Sequence, residues 1–144
     1  RAGEYLDSID EARVEVFTLS GPEAEVNPAV YVSMLDLYTA KQVSYAYQGT
    51  PPASRRRAEA SPLRFTWEYR NPGYYAADGA LGAAAVVVVS DDLAGPLPER
   101  IEERLRGHRL ARVFAADDGV FRSRPLVSVY RASSPRPGQA AADR

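Results

Sequence analysis

The chain has 144 residues, enough for one domain with a buried core, and its 45 % hydrophobic and 26 % charged content is that of an ordinary globular protein. A formal net charge of −1 provides no overall basic field, so no nucleic-acid partner is expected. The lack of cysteine excludes disulfides, thiol catalysis and thiolate-held metals, and leaves the compartment open.

No apolar run approaches the roughly 20 residues that span a bilayer, and no leader pattern opens the chain. The first residue is Arg1 rather than methionine, so the sequence reads as a piece of something longer. All but one of the 18 basic residues are arginine, Lys41 being the exception. Either side chain supplies surface charge, and the bias is the kind a GC-rich genome produces.

In chain order, residues 1–12 are polar and read as a lead-in segment with a short helix. Residues 13–19, RVEVFTL, alternate as a strand does and stop at Ser20-Gly21-Pro22, a turn signal. Asn27-Pro28 reads as an N-cap followed by proline at the first helical position. The helix over 28–40 then repeats Tyr31, Met34, Leu35 and Tyr38 at helical spacing, which predicts one apolar face. A strand over 42–47 completes a β-α-β unit.

Residues 48–62 have the composition of an exposed loop and contain Arg55, Arg56 and Arg57. A strand over 63–70 follows, then a loop or short helix over 71–79. Seven consecutive apolar residues over 83–89, four of them valine, predict a central parallel strand buried on both faces. Leu97-Pro98 opens a helix over 98–106. Its acids (Glu99, Glu102, Glu103) come early and its bases (Arg104, Arg106) late, complementing the helix dipole. Gly107 supplies a left-handed C-cap, Ile101 and Leu105 face the core, and Glu102 can pair with Arg106.

Strands over 109–116 and 124–132, joined by Asp117-Asp118-Gly119, form a closing hairpin. The tail, 133–144, has nothing to bury and is expected to be disordered. Residues 13–132 are therefore expected to form a single α/β domain. Two β-α-β stretches with right-handed crossovers predict a Rossmann-like three-layer sandwich, with a mostly parallel sheet closed by the C-terminal antiparallel hairpin.

Chemistry is harder to find. Ser90, Asp91 and Asp92 occupy the strand end where α/β sheets hold ligands. Carboxylates repel phosphate, however, no glycine-rich phosphate motif is present, and no further oxygen ligands lie nearby in sequence. They read as residues that end a strand. His108, the sole histidine, follows Gly107 and is placed to meet the last helix carbonyls rather than to serve a nucleophile. The arginine triplet at 55–57 reads as a solvated turn, with phosphate or anionic lipid as its functional alternative.

The densest aromatic stretch is 65–75. Phe65 and Trp67, at period two, read as core. For Tyr69, Arg70, Asn71 and Tyr74 two readings stand: surface positions of a strand and loop, or a ligand site. Arginine's donor fork and tyrosine's amphipathic ring suit a glycan or a phosphate. The sequence assigns no catalytic residue, no cofactor and no metal.

These features occur in a recognisable order. A segment ending Trp67-Glu68-Tyr69-Arg70 precedes a buried strand ending in Ser90, an acidic-then-basic helix, and a closing Val127-Ser128-Val129-Tyr130-Arg131 strand. Over residues 13 to 131 this resembles the soluble C-terminal extracytoplasmic domains of polytopic membrane glycosyltransferases that use polyprenyl-phosphate sugars. In that family a W-Y-L-R-like segment precedes the valine strand, and the match at 67–70 is imperfect. The family's catalytic carboxylate lies in the transmembrane part, so no catalytic residue transfers to this chain. The resemblance implies a non-catalytic accessory domain that positions an acceptor or packs on the transmembrane part of its own chain, with a glycan or polyprenyl-phosphate ligand, on the extracytoplasmic face of the membrane. The alternative is a free-standing cytoplasmic Rossmann-like binding or interaction module. A stand-alone enzyme is the least supported class, given one histidine, no cysteine and no phosphate loop.

Overall fold

A computed structural model describes residues 1–19, 21, 28–46, 85–91, 95–115 and 124–133. The elements, in chain order, are α1 (Ala2–Ser8), β1 (Arg13–Thr18), α2 (Ala29–Tyr38), β2 (Gln42–Tyr45), β3 (Ala85–Asp91), α3 (Glu99–Leu105), β4 (His108–Ala115) and β5 (Pro125–Ala132). The expected loop at 48–62, strand at 63–70, loop at 71–79, turn at 117–119 and nearly all of the tail lie outside the described residues.

The strands form one five-stranded sheet in the order β2-β1-β3-β5-β4. β1 is parallel to both β2 and β3, aligning Val14 with Val43 and Val16 with Val87. β5 is antiparallel to β3, with Val129 opposite Val87, and antiparallel to β4. β3 therefore occupies the centre, and every residue from Ala85 to Val89 is buried.

The Rossmann-like, mostly parallel expectation is corrected by this pairing. The sheet is mixed, with two parallel and two antiparallel strand pairs, and it is accompanied by three short helices among the described residues. The first β-α-β unit does place its two strands side by side. The second does not: β4 runs in the same direction as β3, since each opposes β5, but β5 lies between them. Side-chain chemistry accounts for the swap. β5 brings Val127 and Val129 to the core, whereas β4 carries Arg109 and Arg112 and is exposed along most of its length, as suits an edge strand. A local hydrophobic pattern identifies a hairpin without saying which arm turns inward.

Strand alternation sends side chains into two cores. On one face Val14, Val16, Val43, Val87, Val89 and Val129 pack beneath Leu6 of α1 and Val32 and Leu35 of α2. On the other, Phe17, Val86 and Val88 pack beneath Ile101 of α3, flanked by Leu97, Leu105 and Tyr130. Each fully buried valine, leucine or isoleucine contributes roughly 1.5–3 kcal/mol of transfer free energy. The opening segment is part of this arrangement, since Leu6 is completely buried and Ile9 nearly so.

α2 differs from its expected face. Val32 and Leu35 point inward and Tyr31 is partly buried, but Met34 and Tyr38 are exposed. The helix is apolar nearly all round, so spacing alone could not select the buried side. Its first helical residue is Ala29, with Pro28 in the cap position, one place later than expected. α3 ends as predicted at Gly107, whose φ of 79° lies in the left-handed region. Arg106, however, pairs with Glu103 at 3.6 Å rather than with Glu102.

Polar clasps join the elements. Arg104 of α3 ion-pairs with Glu15, whose carboxylate is buried on the α3 side of β1. The Arg131 Nε donates to both carboxylate oxygens of Glu11, at 2.8 and 3.0 Å. Asp7 of α1 accepts from the Thr39 hydroxyl and from the Ala40 N–H at the α2–β2 corner, and the Lys41 ammonium donates to the Ile9 carbonyl at 2.6 Å. Gly3 makes the α1–α2 crossing possible: a Cβ there would collide with the Tyr38 carbonyl oxygen.

Val87→Asp should cost several kcal/mol, because it leaves an unpaired charge between the two layers. A thermal melt near that of the parent would contradict the central placement of β3. Asp7 gives a pH-dependent check. The Thr39 hydroxyl and then the Ala40 N–H hold its carboxyl below the ordinary aspartate range, with Lys41 adding to them against a small opposing effect of burial. Its stabilisation is therefore complete above the unfolded value of about 3.9 and is lost as pH falls through the lower folded value. Asp7→Ala should lose about 1 kcal/mol at pH 7, and its melting curve should converge on that of the parent under acidification below about pH 4.

Candidate functional site

The parallel strands β2, β1 and β3 end together, at the position where α/β sheets commonly hold ligands. Here the polar groups at those ends engage one another. The Thr18 Oγ1 and the Tyr45 hydroxyl are 2.8 Å apart. The Gly21 N–H donates to Asp91 Oδ2 at 3.1 Å, bridging the segment after β1 to the end of β3. Asp91 is buried, and its carboxylate secures the chain leaving β1. Ser90 lies within β3 opposite Leu126. Asp92 is outside the described residues.

Tyr69, Arg70, Asn71 and Tyr74, the ligand residues expected from sequence, are also outside the described residues, as are Arg55, Arg56 and Arg57. His108 opens β4 with its Nδ1 3.4 Å from the Arg106 carbonyl oxygen, a long contact at the helix end. No group of three or more histidine or carboxylate side chains is placed to hold a metal ion among the described residues.

The structure brings together a different set. Between α1, the first turn of α2 and the β4–β5 pair lies an open recess of about 840 Å³, lined by Glu4, Tyr5, Tyr31, Arg112, Phe114 and Val127 among others. It exists because α1 and α2 cover the face of β2, β1, β3 and the Val129 position of β5, while the sheet continues past them into the rest of β5 and β4. Arg112 and Phe114, two apart on β4, project to the same side. The Arg112 guanidinium carbon lies 5.7 Å from the Tyr5 ring centroid and 5.5 Å from that of Phe114. Those two rings are 5.6 Å apart and tilted by 53°. A smaller groove of about 280 Å³ continues between the helices past Gly3, Met34 and Tyr38.

Beside that groove is the outer face of α2, where Val30, Met34, Leu37 and Tyr38 are 53 %, 45 %, 44 % and 67 % exposed. The only charged side chain of α2, Asp36, is buried. The exposed face of this helix is thus almost entirely apolar, broken only by the half-buried Ser33.

Sequence reasoning missed the recess for a physical reason. The period-two pair Arg112 and Phe114 was visible, but Tyr5 and Tyr31 join it only through tertiary packing across more than seventy residues of chain. Compared with protein-family models, curated proteins and solved structures, the chain matches none.

Asp91→Ala should destabilise the protein by about 1.5–3 kcal/mol, the range for a hydrogen bond to a charged acceptor, read by denaturant unfolding. Added calcium or magnesium should leave the parent's melting temperature unchanged. A metal-dependent rise abolished by Asp91→Ala would instead make the strand end a cation site.

Proposed function

We propose that this chain is a non-catalytic, extracytoplasmic accessory domain of a membrane-bound glycosyltransferase, packing through α2 on the transmembrane part of its own longer chain. The observation that carries the reading is the uncovered apolar face of α2. A helix that is hydrophobic all round is normally buried, and contiguous exposed apolar patches mark interaction surfaces. No described helix is long and apolar enough to cross a membrane, so α2 is a surface for docking rather than a span.

A protein occupant fits better than a lipid surface. Helices that lie in the membrane interface carry lysine and arginine on their polar face. α2 carries none, and the nearby Lys41 is committed to the Ile9 carbonyl. The resemblance of the strand, helix and closing-strand order supplies the class of partner. On this reading group transfer takes place in the membrane portion, and the domain supplies position.

The test is made in the full-length protein. A photo-crosslinker at Met34 should join the domain to membrane-embedded residues of the same chain, whereas one at Glu102, on the exposed side of α3, should not. The double variant Val30→Glu, Leu37→Glu should shift the stability of the 144-residue chain by no more than about 0.5 kcal/mol, as surface substitutions do, while abolishing the crosslink from position 34. A reading frame without hydrophobic spans, or equal crosslinking from both positions, would refute the proposal.

A further inference from the structure

We infer that the recess beside α1 binds a small hydroxylated organic oxyanion, namely a sugar acid or a sugar phosphate, with Arg112 taking the oxyanion. The inference stands apart from the docking of α2, since it concerns a different surface and is tested on this chain alone.

Arg112 is set apart by its surroundings. Arg104 is neutralised by Glu15, and Arg131 by Glu11 and, at 3.6 Å, by Asp10. Among the described residues no carboxylate pairs with Arg112. What holds it is the tilted pair of Tyr5 and Phe114, each ring within 6 Å of the guanidinium carbon. A guanidinium drawn toward aromatic rings keeps N–H groups free to donate. With no carboxylate partner among the described residues, its donor fork is suited to bidentate binding of a carboxylate or a phosphate.

The rest of the recess specifies what carries the anion. Its volume, about 840 Å³, falls within the roughly 300–1,000 Å³ of small-molecule sites. Tyr31, Phe114 and Val127 present ring and aliphatic surface, which suits the apolar face of a saturated ring. Glu4 and Arg1 stand at the rim, where the exposed Glu4 carboxylate lies 3.3 Å from the N-terminal ammonium of Arg1. The remaining lone pairs of that carboxylate accept hydrogen bonds from hydroxyls. One oxyanion on Arg112 and hydroxyls toward Glu4 describe a monoanionic or phosphorylated sugar, and they disfavour both a bare anion and a neutral apolar ligand.

The experiment is an NMR titration of the 144-residue chain with four probes: glucuronate, glucose 6-phosphate, glucose and inorganic phosphate. Glucuronate and glucose 6-phosphate should give saturable shifts at Tyr5, Tyr31 and residues 112–114, and the stronger of the two identifies the preferred oxyanion. Glucose and inorganic phosphate should each bind at least tenfold more weakly than that ligand. Arg112→Gln should lower its affinity at least tenfold, and Arg112→Lys at least threefold, because an ammonium cannot form the fork. Arg112 lies exposed on the edge strand, so an unchanged melting temperature in both variants verifies the fold. Glu4→Gln should weaken the sugar ligands and leave inorganic phosphate unaffected or improved. Glucose binding as well as the acids, phosphate binding as well as the sugar phosphate, full affinity in Arg112→Gln, or no shifts in the recess would each overturn the inference.

Discussion

Burial of β3 on both faces is the constraint from which the rest of the architecture follows. A strand whose residues from Ala85 to Val89 are all shielded from water needs a strand on each side and a layer above and below. β1 and β5 provide the flanks, α1 with α2 one cover, and α3 the other. The half-buried Glu15–Arg104 pair belongs to the same logic. Covering both faces of β1 places a glutamate under α3, and the arginine from that helix neutralises it. Truncating Arg104 is costly because it strands the buried Glu15 carboxylate.

The covers do not extend as far as the sheet. Two helices sit over β2, β1, β3 and the Val129 position of β5, and the rest of the β5–β4 pair projects beyond them, which produces both the recess and the exposed edge strand. The molecule thus has two surfaces with distinct chemistry next to each other. One is apolar and helical, formed by Val30, Met34, Leu37 and Tyr38. The other is aromatic and cationic, formed by Tyr5, Arg112 and Phe114. Tyr31 borders both, lining the recess and the groove that runs toward the apolar face.

How much of this was legible in the sequence depended on the range of the interaction involved. The valine run, the charge order of α3 and the Gly107 stop are local signals, and each element formed within a residue or two of its expected limits. The face of α2 was not legible, because Val30, Val32, Met34, Leu35 and Leu37 satisfy an apolar requirement on almost any side. Nor was the position of β5, since hairpin arms pair identically whichever one meets β3. The class of the sheet turned on that choice. Asp91 was legible as a residue that ends a strand, but its hold on the Gly21 N–H spans 70 residues and leaves no local mark. The recess has the same character: its aromatic rings come from three separate elements, Tyr5 from the opening helix, Tyr31 from α2 and Phe114 from β4.

The Glu11–Arg131 clasp joins positions 120 residues apart, one just before β1 and one at the close of β5. The connection between α1 and β1 is therefore fixed to the last strand, and α1 and β5 cannot separate without breaking this ion pair. Local opening of the first helix and of the last strand is thereby coupled, although the two lie at opposite ends of the described chain.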